Sequence, residues 1–139
     1  MKSILSNAFY NINLILVLFT MIFCHIIDDF YLQGILASMK QKSWWKEYGS
    51  FYRNDYKIAL IAHAFSWSFS IHIPIFIHCV YYGSSYSIIL LLFVFITNLI
   101  IHSIVDDLKV NKGKINLVTD QLIHFIQIIV TWSIYIMNY

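Results

Sequence analysis

The sequence predicts an all-α integral membrane protein, a bundle of four transmembrane helices forming one membrane domain over residues 1–139. Two observations predict it. Hydrophobic residues fill 60% of the 139 positions and charged ones only 12%, and the mean hydropathy is +0.70. A soluble domain carries about a quarter charged residues because its surface faces water, so the spare apolar surface here has to face lipid. The apolar residues also fall into four runs, each at or above the ~20 residues a helix needs to cross a bilayer.

Taken in order, the first span covers roughly 10–36 and opens with LILVLFTMIF. An interfacial loop, 38–56, follows it. The second span, 57–81, reads KIALIAHAFSWSFSIHIPIFIHCVYY and holds the only proline, Pro74. A proline there frees a backbone carbonyl, which predicts a kink. The third, 85–108, contains SIILLLFVFITNLII, and the fourth, 117–138, contains LIHFIQIIVTWSIYIM. A cleavable leader is not expected, since Lys2 is the only basic flank and the first apolar run is too long. Cys24 and Cys79 lack CxxC spacing and fall at different depths, so no disulfide is expected between them.

Loop charge sets the expected threading. The first loop carries Lys40, Lys42, Lys46, Arg53 and Lys57 against Glu47 and Asp55, and the third carries Lys109, Lys112 and Lys114. The second, YYGSSYS, has no charge. Basic loops stay in the cytoplasm, which predicts a multi-pass protein of the cytoplasmic (inner) membrane with both termini outside. Trp44, Trp45, Tyr48, Phe51 and Tyr52 stand among the lysines of the first loop, as suits the headgroup layer. The expected partner is the bilayer. No nucleic acid is expected, and a narrow bundle leaves room for a homodimer.

The first span also contains CHIIDDFYLQ, where a histidine and two aspartates stand in a membrane helix. His25 and Asp29 are four apart and share a face, with Gln33 one turn on. The third span repeats the pattern with Asn98, His102, Asp106 and Lys109. The fourth reverses it with Asp120, His124, Gln127 and Thr131, and the second adds His63 with Ser66, Trp67 and Ser70 around it. Counted back from each cytoplasmic end at 1.5 Å per residue, these groups lie roughly 3–16 Å deep. Packing the four helices therefore brings His25, Asp29, His63, His102, Asp106, Asp120 and His124 to one depth.

Ionisable groups in membranes face the bundle interior and pair with each other or with a cation. Neutral imidazole and carboxylate are the usual ligands of zinc, manganese and iron. These seven residues are therefore the candidate metal ligands, with zinc first, manganese or iron as alternatives, and one ion or two. A two-metal centre would use the full set. A single His-x-x-x-Asp pair reads more simply as an interhelical hydrogen bond, but three pairs and a fourth histidine at one depth outweigh that. Asp28 and Asp107, off the shared face, read as supports for the ligands or as solvated helix ends. His72 and His78 read as bonded to neighbours or water.

HIIDDFYLQ followed by SMK, a lone histidine in the second span, HSIVDDLK and TDQLIHFI together resemble a family of small bacterial and phage membrane proteins, the domain-of-unknown-function family 3307. The resemblance covers about 22–128. It marks His25, Asp29, Gln33, His63, His102, Asp106, Lys109, Asp120, Gln121 and His124 and implies no activity. The doubled aspartates in DDF and DDL depart from the pattern and leave either member of each pair eligible. The pattern is also loosely similar to that of inner-membrane metal-dependent hydrolases.

These readings lead to a membrane-embedded metal-dependent hydrolase acting from the cytoplasmic side. Asp29 and Asp106 are the candidate catalytic carboxylates, and Lys109 would neutralise an anionic oxygen. Gln33 and Gln121 would orient ligands or substrate. The shallow site and the basic loops favour a phosphoester or lipid-linked substrate with an anionic headgroup, and a soluble nucleotide is the alternative. The alternatives are a proton or divalent-cation transporter, and a non-catalytic membrane partner protein whose buried pairs lock helix register.

Overall fold

The computed structural model describes residues 2–83 and 86–138, with side chains from Ile12 onward. Helix α1 (Lys2–Ile27) runs directly into a π-helical turn, Asp28–Leu32. Gly34 then turns the chain with φ +50, a left-handed conformation that glycine adopts without a Cβ clash. The chain next lies across the end of the bundle as α2 (Leu36–Met39), α3 (Lys42–Trp45) and two 3-10 turns, Lys46–Tyr48 and Ser50–Tyr52. Three long helices complete the fold: α4 (Tyr56–Tyr82), α5 (Ile88–Val110) and α6 (Leu117–Asn138). There is no strand among the described residues.

Four stretches are long and apolar enough to cross a membrane: Ile12–Leu32, Ser50–Tyr82, Ile88–Val110 and Leu117–Asn138. They match the four runs read from the sequence and make the chain compatible with a multi-pass membrane protein. The first stops at Leu32, because Gln33 and Gly34 leave the helix axis. Pro74 lies inside α4, which continues past it to Tyr82.

The helix ends are set by local chemistry. Ser87 caps α5 by accepting from the Leu90 N–H, and the Asn116 side chain accepts from the Thr119 N–H at 2.9 Å at the start of α6. Gly83, at φ +66, closes α4 by donating its N–H to the Cys79 carbonyl.

Helix α4 packs against both α1 and α5, and α6 closes the ring against α1 and α5. Val17, Met21, Trp67, Ile71, Ile75, Ile128 and Tyr135 form the apolar core, toward the end away from the 36–55 segment. Nearer that segment the interior turns polar. Among the described residues, buried polar and charged side chains outnumber buried apolar ones, while Phe19, Ile89 and Val118 are 63%, 77% and 76% exposed. Apolar surface out and polar groups in is the arrangement a bilayer selects, since unmatched polar groups in hydrocarbon cost several kcal/mol each, by the usual order of magnitude.

Candidate metal centre

Consecutive residues of an α-helix point about 100° apart, so one of two adjacent aspartates normally faces out. The π turn narrows that angle, and both Asp28 and Asp29 are buried. A π turn is unfavourable by itself and tends to occur where function needs it. Here side chains hold it. Ser66 and Ser70 of α4 donate to Asp28 Oδ1 at 2.6 and 3.1 Å, and Gln121 of α6 donates to Asp29 Oδ2 at 2.6 Å. Gln33 donates to Asp29 Oδ1 at 2.9 Å and to the Asp29 carbonyl.

The regular helices supply the rest by spacing alone. His102 and Asp106 sit one turn apart on α5, Asp120 and His124 one turn apart on α6, and His63 comes from α4. All five are at most 1% exposed. Together with Asp29 they form three overlapping groups, each able to hold a metal ion: Asp29, His63 and His102; His102, Asp106 and His124; and Asp29, Asp120 and His124. Six of the seven candidate ligands thus meet in one cage.

The spacings inside the cage match coordination better than hydrogen bonding. His63 Nε2 lies 3.2 Å from Asp29 Oδ1, 3.2 Å from His102 Nε2 and 3.5 Å from Asp106 Oδ2. His124 Nε2 lies 3.5 Å from Asp120 Oδ1 and 3.8 Å from Asp106 Oδ1. A single N–H on His63 cannot serve three neighbours. Ligands at about 2.0–2.1 Å from a tetrahedral ion sit roughly 3.3–3.4 Å from one another, close to these values. Asp106 Oδ1, Asp120 Oδ1, His124 Nε2 and His102 Nδ1 are buried without a hydrogen-bond partner among the described residues. Buried polar atoms are normally paired, so Asp106 Oδ1, Asp120 Oδ1 and His124 Nε2, with both oxygens within 3.8 Å of that nitrogen, fit a cation.

Two lysines reach the carboxylates. Lys40, between α2 and α3, is 3% exposed and places Nζ 2.6 Å from Asp106 Oδ2. Asn111 fixes it there, donating to the Lys40 carbonyl at 3.0 Å and accepting from the Lys42 N–H at 2.8 Å. Lys109 bonds Asp120 and lies 3.9 Å from Asp106 Oδ1, its side chain 21% exposed at the rim. With the imidazoles neutral, as metal ligands require, Asp28, Asp29, Asp106 and Asp120 against these two ammonium groups leave a buried charge of −2, the charge one divalent cation cancels. Isolated buried charge is costly, several kcal/mol per ion as an order of magnitude.

His25 departs from the expectation. Its Nδ1 accepts from Trp67 Nε1 at 2.7 Å, and its Nε2 bonds Gln121 Oε1 at 3.1 Å. With both nitrogens engaged it supports the cage from the side and is in none of the three groups. Asp28 takes the supporting position: its Oδ2 lies 3.9 Å from His63 Nδ1. Asp107 points away, to Lys112 at 2.8 Å and Asn111 at 2.9 Å. His72 bonds the Ser68 carbonyl and His78 the Tyr135 hydroxyl, both off the cage.

Aromatic rings lock the imidazoles. Trp67 stacks on His102 with centroids 4.3 Å apart, and His102 stacks on His124 at 4.1 Å. Behind His124, Gln127 Oε1 lies 3.2 Å from its Nδ1, Gln127 Nε2 donates to Asn98, and Asn98 donates to Thr131 at 2.7 Å. That chain leaves His124 Nε2 as the free nitrogen facing Asp106 and Asp120. Lys40 is the residue that helical spacing could not reveal, because a loop lysine ordinarily stays in water. Its one sequence signal is the SMK that follows the first span. The chain matches no family model, no curated protein and no solved structure, so its function has to be read from this geometry.

Proposed function

We propose that the protein is a membrane-embedded hydrolase that uses one divalent cation, zinc first and manganese or iron as alternatives, held by one of the three-residue groups within the cage of Asp29, His63, His102, Asp106, Asp120 and His124. The observation that carries this reading is the convergence of six ligand-type side chains from four helices, several with unpaired atoms, around a charge deficit of two. That deficit favours a single ion over a pair. Imidazole and carboxylate together suit zinc, and a hard-ion site would carry more oxygen.

Such a cation lowers the pKa of a bound water toward neutrality. The chain supplies the other functions. Among the described residues Asp106 and Asp120 each keep one oxygen without a hydrogen-bond partner, and these are the groups free to take a proton. Asp29, with both oxygens engaged, is the poorer acceptor. Lys109, at the rim, can leave Asp120 to meet an anionic oxygen of substrate. Trp67, Met21 and Ile128 form an apolar floor that closes the cage on the side away from Lys109. The basic loops support a site on the cytoplasmic side, where an anionic phosphoester at the lipid surface is the favoured substrate.

The transporter reading would use the buried line from His124 through Gln127 and Asn98 to Thr131. Amides hold their protons, so that line suits orientation of His124 better than proton transfer.

Metal analysis of the detergent-purified protein beside His102→Ala is the test, with phosphate release from a lipid phosphomonoester in mixed micelles as the second readout. The expected result is one equivalent of metal and hydrolysis in the parent protein, and loss of both in the variant. Equal metal content in the two proteins, or a fully loaded protein inert toward phosphoesters, would overturn the metal or the hydrolase half of the reading respectively.

A further inference from the structure

The same end of the bundle carries a second feature, on the outside. A cleft of about 270 Å³ runs between α4 and α5, walled by Leu60, Ile61 and Ile104 and headed by Lys57, Asp107 and Lys112. Ile61 and Ile104 are each 53% exposed, so the cleft opens sideways along the lipid-facing surface. At its head Lys42 places Nζ 4.9 Å over the ring of Tyr56, another lining residue. Asp107 pairs with Lys112 at 2.8 Å, and among the described residues Lys42 and Lys57 have no carboxylate partner. Three ammonium groups against one carboxylate leave the head with a charge of +2.

We propose that this cleft binds an anionic phospholipid of the leaflet at that end of the bundle. Its phosphate lies between Lys57 and Lys112, within the field of Lys42, and one acyl chain runs down the wall of Leu60, Ile61 and Ile104. Two features of the cleft select this occupant. Its apolar wall lies within the membrane spans, where acyl chains are the available apolar partner, and its head is positive where phosphates stand. A zwitterionic lipid fits the wall but not the charge. A free anion fits the charge but gains nothing from the wall. The site is separate from the metal cage: Ser103 and Asp107 face the cleft while their neighbours His102 and Asp106 face the interior. It therefore stands whether or not a metal is bound.

The experiment is native mass spectrometry of the detergent-purified protein titrated with phosphatidylglycerol, with phosphatidylcholine and glycerol phosphate as parallel probes. One phosphatidylglycerol per chain is expected to bind well ahead of phosphatidylcholine. Lys57→Gln with Lys112→Gln should weaken it by about fivefold per lysine, the usual value of one basic residue near an anionic surface. Ile61→Trp, which fills the wall and keeps every charge, should also reduce binding of phosphatidylglycerol. Circular dichroism establishes that each variant is folded, and if the double variant is not, Ile61→Trp decides alone. Equal binding of the two lipids, undiminished binding in the folded variants, or glycerol phosphate binding as tightly as the lipid would each overturn the proposal.

Discussion

Asp28 stands behind His63, its Oδ2 3.9 Å from His63 Nδ1 and without a hydrogen-bond partner among the described residues, while Oδ1 is fixed by the Ser66 and Ser70 hydroxyls. A carboxylate in that place orients a ligating imidazole and raises its basicity, and its loss commonly weakens metal binding about 10–100-fold. Asp28→Asn keeps the shape and removes the charge. It is expected to show that loss in a competitive chelator titration while the helical content is unchanged. Lys40 gives a prediction of opposite sign. Lys40→Met strips a buried carboxylate of its partner, which costs about 3–5 kcal/mol in the metal-free protein. It also deepens the negative charge of the cage, so added divalent metal should raise the thermal midpoint of the variant by more than that of the parent. Of the site residues, His102, Asp106, Asp120 and His124 are legible in the sequence because regular helices turn a spacing of four into a shared face, and His63 is legible as a lone histidine at the same depth. His25 follows the same spacing and yet is a support, because Trp67 and Gln121 occupy its nitrogens, and those partners come from α4 and α6. Lys40 meets Asp106 across 66 residues of chain, a relation no local pattern encodes.

The π turn is the element on which the site depends most. It sets the direction in which the chain leaves α1 and therefore where Lys40 arrives. Leu32 is 64% exposed, so removing it sacrifices little packing. Its deletion would rotate Gln33 and the 36–40 segment by about 100° relative to α1 and take Lys40 off Asp106. The expected thermal destabilisation of the deletion matches that of Lys40→Met, and the combined variant should be no worse than either alone, as coupled sites behave. Additive losses would sink this link. The π turn was not legible, because nothing in DDFYL distinguishes it from an α-helical turn before its neighbours are in place. α4, α5 and α6 are legible to within a few residues, since length and hydropathy set them, whereas α1 begins at Lys2, ahead of the apolar run read from 10. The sequence reads 38–56 as one interfacial loop, and the chain there is instead built of short helical turns that carry Lys40 inward to Asp106.

At the scale of the molecule apolar side chains face out and polar ones in, the reverse of a soluble bundle, and eight of its nine basic residues give the expected orientation in a membrane. Ser50, in the 36–55 segment, and Asn138, at the end of α6, report that placement. With Cys24 and Cys79 replaced by alanine, Ser50→Cys should react with an impermeant maleimide only after the membrane is opened, and Asn138→Cys in intact cells. The reverse pattern would put the cage in the other leaflet. The stacking of Trp67 on His102 has an optical consequence. Of the four tryptophans only Trp67 is wholly enclosed, and its indole lies one ring from the cage. Replacing Trp44, Trp45 and Trp132 with phenylalanine leaves a protein whose fluorescence comes from that single indole. Cobalt or copper entering beside it should darken the emission, and a chelator should restore it, giving each chain an internal gauge of its own occupancy.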